Sequence, residues 1–162
     1  MTKRERELAV EAVLKRWKKL QDEVRQVEED AASVAFSQGS GEPVQSSSIS
    51  DKTARGAFML DSIDEKRKWI QAITDGMNWL DEEQPELRLL LWGHYGMKYA
   101  NGYRKKYARS FMLSYCAVFA ISESEYKSRR WDALSEIAFY ATEAGLLRIC
   151  KQYKSAVNRR KP

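Results

Sequence analysis

Apolar positions in residues 1–36 follow the spacing of an amphipathic helix. They recur at alternating steps of three and four residues, the heptad seam of a coiled coil, and are Val10, Val13, Trp17, Leu20, Val24, Val27, Ala31 and Val34. No Gly or Pro interrupts the segment. The pattern predicts one long helix that either pairs with a second copy through residues 10–34 or docks onto the rest of the chain. The regular heptads favour a homodimer, whereas the bulk of Trp17 favours docking.

The helical pattern stops at residues 37–56, which are rich in Gly and Ser and predict a flexible linker. Ser62 and Glu65 then have the spacing of a capping box, so a second helix is expected to begin there. Its inward-facing residues would be Ile63, Ile70, Ile73, Met77 and Leu80. Pro85 suits the first turn of a third helix, with Leu87, Leu90, Leu91 and Trp92. Since no alternating strand pattern occurs, the predicted fold class is all-α.

Two helical stretches separated by a short turn are predicted at about 108–140, within a helical domain of residues 57–162. The first has an apolar stripe of Phe111, Met112, Tyr115, Cys116 and Phe119. The second begins at Ser122, which can form a capping box with Glu125, while Ile121 and Tyr126 have the spacing of a hydrophobic staple. A helix-turn-helix is therefore expected, followed by a basic tail.

A resemblance to known proteins begins at these residues. Ile121-Ser122-Glu123 followed by Lys127-Ser128-Arg129 resembles the second helix of the helix-turn-helix in bacterial sigma factor region 4. The chain length and the segment LDEEQPELRLLLWGHY resemble the ArpU/RinA group of phage late transcription regulators. The likeness covers residues 62–145. It implies a regulator of phage or prophage type that reads a promoter in double-stranded DNA, with RNA polymerase as a further partner.

The chain departs from region 4 in two places. Arg130 stands where region 4 usually has a Leu that faces the core, and Trp131 could supply the missing apolar contact. Residues 96–107 are longer and more basic than the usual connector. The departures leave the register of the reading helix open by about one residue.

The net charge of +5 is unevenly distributed. Residues 97–130 hold eight bases and two acids, and residues 148–162 hold six bases and no acid. A phosphate-binding surface requires such a concentration of positive charge. The residues expected to contact DNA are Arg104, Lys105, Lys106 and Arg109 at flanking phosphates, and Ser124, Glu125, Lys127, Ser128, Arg129 and Arg130 at base edges or phosphates.

Catalysis has little support in the sequence. His94 is the only histidine, so one chain cannot build a Ser-His-Asp triad or a multi-histidine metal site. The phosphate-binding patterns GxxxxGK[ST] and GxGxxG do not occur. Cys116 and Cys150 lack the spacing of metal ligands and are expected to be reduced core residues. We therefore expect neither an enzyme nor a cofactor or metal site.

Residues 1–36 contain no apolar stretch of the kind found in signal peptides, and the longest apolar run, 116–121, is six residues. A bilayer needs roughly 20. The expected location is cytoplasmic, in a bacterial host or associated with the nucleoid, without a membrane partner.

Other interpretations remain open at this stage. A phage small-terminase-like packaging protein also joins a helix-turn-helix to a helical oligomerisation segment. A helical adaptor would bind another protein through residues 1–36, and its basic face would be incidental. Three tyrosines, Tyr99, Tyr103 and Tyr107, are interleaved with Lys and Arg residues. They could stack on unpaired nucleobases or pack at the domain edge.

Overall fold

The computed structural model describes residues 1–36, 56–97 and 101–148. These residues form helices and no strands, which confirms the all-α class. The six longer helices are α1 (Lys3–Lys15), α2 (Trp17–Phe36), α3 (Asp64–Glu83), α4 (Pro85–His94), α5 (Lys105–Phe119) and α6 (Glu123–Glu143). A short helical segment, 56–61, precedes α3. The predicted linker up to residue 55 and the basic tail beyond Arg148 lie outside the described residues.

Helix α6 lies at the centre of the fold. Helices α1 and α3 pack along it, and α4 and α5 contact its beginning. Among its buried side chains, Leu134, Ile137 and Ala141 form one stripe and have no exposed surface. Gly76 of α3 allows a close approach, since a Cβ at this position would come within 2.6 Å of Ile137 Cδ1. The central position of α6 means that only part of its surface can meet a ligand.

The N-terminal segment is two helices instead of the single long helix predicted. Helix α1 ends at Lys15, and the amide of its C-cap, Arg16, donates to the carbonyls of Val13 and Leu14. This break allows α1 to pack on α6 and α2 to pack on α3. Val10 and Leu14 are fully buried in the core. The apolar face of α1 therefore packs in the core of the same chain, as the docking alternative predicts. It does not remain available as the seam of a homodimer.

The start of α3 also differs from the prediction. The helix begins at Asp64, and its N-cap, Ile63, provides no side-chain cap. The Ser62 hydroxyl donates to the Met59 carbonyl at 2.6 Å, so the predicted capping box with Glu65 does not form. Pro85 is the first residue of α4, as predicted. Of the residues expected to face inward, Ile70 is half-buried and the others are buried.

None of the helices in the described ranges combines the length and the hydropathy that a membrane-spanning segment requires.

Candidate nucleic-acid interface

Helices α5 and α6 are joined by three residues, at the position predicted for a helix-turn-helix. Ala120 closes α5 in the left-handed conformation, with φ of 50° and ψ of 42°, and its amide donates to the Cys116 carbonyl. Ser122 is the N-cap of α6, and its Oγ accepts from the Glu125 amide at 3.1 Å. Tyr126, one turn later, is buried against Tyr115 of α5. The turn and the start of α6 are therefore well fixed.

Only one half of the predicted capping box at Ser122 is formed. The Glu125 carboxylate accepts from Arg129 Nη2 at 2.9 Å instead of reaching back to Ser122. Arg129 Nη1 donates to the Glu86 carboxylate of α4 at 3.1 Å. Arg129 thus bridges α6 to α4, and both Arg129 and Glu125 are engaged within the fold. Neither projects freely towards a DNA groove, which differs from the role assigned to them from the sequence.

Arg130 is turned towards the interior. Its side chain is 17% exposed and its Nη1 lies 3.6 Å from Glu11 Oε1 of α1. The Trp131 ring stacks with two guanidinium groups, at 3.3 Å from Arg4 and 4.9 Å from Arg130. Arg130 therefore occupies a core-facing position, the place where region 4 usually has Leu. In this conformation it cannot reach a base edge, so the expected Arg130 contact has no support from the geometry.

His94 connects Arg130 to the start of α6. Arg130 Nη1 donates to His94 Nε2 at 3.0 Å, and His94 Nδ1 lies 2.9 Å from the Tyr126 hydroxyl. Because arginine can only donate, Nε2 must accept, and the ring proton is assigned to Nδ1. Burial, together with the charge of Arg130, lowers the pKa of His94 to about 4. The ring is therefore neutral at pH 7.

The network of Glu11, His94, Tyr126 and Arg130 was not predicted from the sequence. It joins α1, α4 and α6, and burial keeps the Tyr126 hydroxyl protonated by raising its pKa. One signal for it was present, since Glu11 follows Val10 and precedes Leu14 on the apolar face of α1. A charged residue at a buried position needs a partner of opposite charge. Lys15, one turn along α1, lies 3.2 Å from Glu11 and is a partner that helical spacing predicts, but the sequence could not show that Arg130 would be the second.

Positive charge remains exposed at the start of α5. Arg104, Lys105, Lys106 and Arg109 are all exposed. No Asp or Glu occurs between Glu86 and Glu123. Lys105, Lys106 and Arg109 make no ion pair with a described residue, while the Arg104 guanidinium lies 5.8 Å from the Tyr107 ring centroid. We call these four residues the α5 basic cluster.

The bases on α1 to α4 behave differently. Most of them lie within ion-pair distance of an acid; Lys68 Nζ is 2.5 Å from Asp64, and Arg67 Nη2 is 2.8 Å from Glu28. Helix stability would also favour acids in the first turn of α5, because the N-terminal end of the macrodipole is positive. That turn contains no acid, and Arg104 provides no side-chain cap. No acid among the described residues therefore neutralises the α5 basic cluster, although helix stability favours acids at this place.

The exposed surface of α6 divides into two parts. Ser124, Lys127 and Ser128 are exposed in its first two turns, and Lys127 makes no ion pair with a described residue. Further along, Asp132 is exposed and Glu136 half-exposed. These acids would repel phosphates, as would the exposed Glu123 in the first turn, so a phosphate contact by α6 depends on Lys127.

The tyrosines between α4 and α5 have different environments. The half-buried Tyr103 ring packs at 5.9 Å from Tyr95 and 6.3 Å from His94, so it belongs to the domain edge. Tyr107 is 51% exposed beside the α5 basic cluster. Tyr99 lies outside the described residues. Of the described tyrosines in this group, Tyr107 is therefore the one whose exposed ring could stack on an unpaired nucleobase.

Within the described ranges, no group of three His, Cys, Asp or Glu side chains could hold a metal ion. The Cys116 thiol is free and half-buried, while Cys150 is outside the described residues. No protein-family model, no curated protein and no solved structure matches this chain.

Proposed function

We propose that this protein binds double-stranded DNA through the α5 basic cluster and the first turns of α6, as a transcription regulator of phage or prophage type. The observation that supports this most directly is the unneutralised α5 basic cluster. Each phosphate that such a base neutralises releases condensed counterions, and this release drives binding. The cluster flanks a helix whose exposed first turns have the residue types that read a major groove.

The two parts of the surface have different tasks in this proposal. Arg104, Lys105, Lys106 and Arg109 hold phosphates and set the position of the protein on the duplex. Ser124, Lys127 and Ser128 approach base edges or the adjoining backbone, because the N-terminal residues of a recognition helix enter the groove. Arg129 and Arg130 fix α6 through Glu86, Glu11 and His94, so they act as positioning residues.

The narrower role as a regulator with RNA polymerase as partner rests on the resemblance to sigma factor region 4 and to the ArpU/RinA group. The docking of α1 weakens the other interpretations. Both the packaging protein and the adaptor need residues 1–36 as an interaction segment, whereas Val10 and Leu14 are buried in the core of the same chain. The adaptor interpretation also gives no reason for the exposed positive charge at the start of α5.

The electrostatic part of the proposal can be tested by fluorescence anisotropy with a labelled duplex at several salt concentrations. The test variant is Lys105→Gln/Lys106→Gln/Arg109→Gln, which removes three basic side chains that make no ion pair with a described residue. Since log K falls by about 0.9 per neutralised phosphate for each decade of salt, the slope should become less steep by about 2.7. The matched control, Lys3→Gln/Arg25→Gln/Lys68→Gln, removes three bases that are paired with acids, and should bind as the parent does. Equal binding by the parent and the α5 variant would exclude this surface.

Sequence reading needs a separate experiment. The full chain is expected to enrich one motif from a pool of random duplexes. Lys127→Ala should either relax the preference at one position, at about 1 to 3 kcal/mol, or lower affinity for every sequence and flatten the salt slope by about one. Enrichment of no motif would contradict a sequence-specific regulator.

A further inference from the structure

A second positively charged surface lies between the start of α2, the start of α3 and residues 101–103. It is a groove of about 650 Å³ that opens to solvent. Five bases line it, namely Lys15, Arg16, Lys18, Lys19 and Lys66. The acids in its lining are Asp22 and Glu23. The groove therefore has an excess of positive charge.

One wall of the groove is backbone that packs closely on α2. Gly102 has a φ of +63°, in the left-handed region, and a Cβ there would lie 3.1 Å from Lys18 Cβ. Glycine thus lets residues 101–103 lie directly against α2. The adjoining Tyr103 ring is 5.8 Å from Lys15 Nζ. The groove is consequently formed by fixed backbone and packed side chains as well as by flexible lysines.

Four of the five bases pair with acids, but the five bases outnumber the acids that pair with them, because Glu23 serves two lysines. Glu23 pairs with two lysines, at 2.8 Å from Lys66 Nζ and 3.7 Å from Lys19 Nζ. The hydrogen bond from Lys66 holds the pKa of Glu23 below its ordinary value, so this acid stays ionised. Lys18 pairs with Asp22 at 3.1 Å, and Lys15 pairs with Glu11 of α1 at 3.2 Å. Arg16 makes no direct ion pair with a described residue, so its guanidinium is the groove cation most available to bind a phosphate.

The groove also borders the α5 basic cluster. Tyr103 lines the groove, and the next residue in the chain, Arg104, begins the cluster. The uncharged residues 101–103 therefore lie between the bases at the start of α2 and those at the first turn of α5. An open groove lined with long cationic side chains suits a phosphate backbone that passes along it.

We propose that this groove is a second phosphate-binding surface, which holds the DNA backbone next to the part held by the α5 basic cluster. The inference rests on the proposed DNA binding and extends its contact surface to α2 and α3. The recognised chemistry is the phosphate group. Phosphate could also come from a free nucleotide, and the experiment separates the two sources.

The test variant is Arg16→Gln/Lys18→Gln in the full chain, with the α5 basic cluster intact. The exposed Lys18 pair contributes little to stability, so the variant should fold, which urea denaturation checks. Loss of two phosphate contacts should flatten the salt slope by about 1.8 and lower affinity equally for all duplex sequences. The control is Arg25→Gln/Lys68→Gln, which removes one exposed base from α2 and one from α3 outside the groove.

Chemical acetylation of lysines gives an independent readout. Bound duplex should protect Lys18 and Lys19 from acetylation, as measured by mass spectrometry, and should leave Lys68 reactive. Protection of all three or of none would contradict a local contact in the groove.

The outcomes separate the two proposals. If the parent binds duplex and the groove variant keeps the parent's salt slope, the groove inference is wrong and the proposed function stands. If the parent does not bind duplex, both are wrong. A parallel titration uses adenosine monophosphate. If the parent binds this nucleotide, the groove variant does not, and the salt slope of duplex binding is the same for both, the groove is a nucleotide site and does not hold the DNA backbone.

Discussion

His94 should make the stability of this fold depend on pH between about 5 and 7. It is the chain's only histidine, and it is held in the buried network between Arg130 and Tyr126. Burial and the charge of Arg130 lower the pKa of His94 from 6.5 to about 4. In the unfolded chain the ring has its ordinary pKa. As pH falls, the unfolded state therefore takes up the proton first, and unfolding becomes more favourable.

The two pKa values give the magnitude. At pH 7 the ring is mostly neutral in both states, whereas at pH 5 it is largely protonated only in the unfolded state. The free energy of unfolding should therefore fall by about 2 kcal/mol from pH 7 to pH 5, and by about 3 kcal/mol once the pH approaches the folded pKa. For a chain of this size, about 2 kcal/mol lowers the Tm by roughly 4 to 8 °C.

Urea denaturation followed by tryptophan fluorescence at pH 5, 6 and 7 measures this dependence. His94→Gln is the informative variant, because its amide oxygen can accept from Arg130 but the side chain does not titrate. The variant should be less stable at pH 7 and should lose most of the slope between pH 5 and 7. A parent with constant stability over this range would refute the reasoning, as would a His94→Gln variant that keeps the full slope.

Two further predictions concern the packing of α1 and the start of α6. Leu14→Ala should destabilise the fold by about 2 to 5 kcal/mol, because Leu14 is fully buried. The control Leu8→Ala should have a small effect, since the Leu8 side chain is 47% exposed. Similar losses of stability in urea denaturation for the two variants would mean that α1 is not docked. Ser122→Ala should lower stability by about 1 kcal/mol through loss of the N-cap, while Ser124→Ala serves as the control, and equal Tm values for the two variants would argue against the cap.

Much of the local structure follows from the sequence, because helices form from contacts between residues close in the chain. The spacing of apolar residues predicted the helical regions but not the break at Arg16, while Pro85 marked the start of α4 and Ser122 the start of α6. Local pattern has limits even here. Ser62 is followed by Glu65 just as Ser122 is followed by Glu125, yet the Ser62 hydroxyl bonds to the carbonyl of Met59 in the preceding helical segment.

Only part of the candidate interface could be predicted from the sequence. Net charge is a property of the sequence, so the bases of the α5 basic cluster were identified from the chain alone. Whether a base is neutralised depends on residues that are distant in the chain. Arg129 pairs with Glu86 of α4, and Arg130 lies against Glu11 of α1. Those contacts distinguish positioning arginines from the exposed Lys127, and no spacing rule reveals them.

The sequence by itself determined that residues 1–36 bury an apolar stripe, because a helix with that spacing has one face that must leave water. Only the tertiary structure decided what covers it. A second copy and the chain's own core offer the same kind of apolar surface, so periodicity cannot choose between them. The break at Arg16 lets α1 reach α6 and α2 reach α3. Val10, Trp17, Val24 and Ala31 of the stripe are buried within one chain, and the other four residues are half-buried.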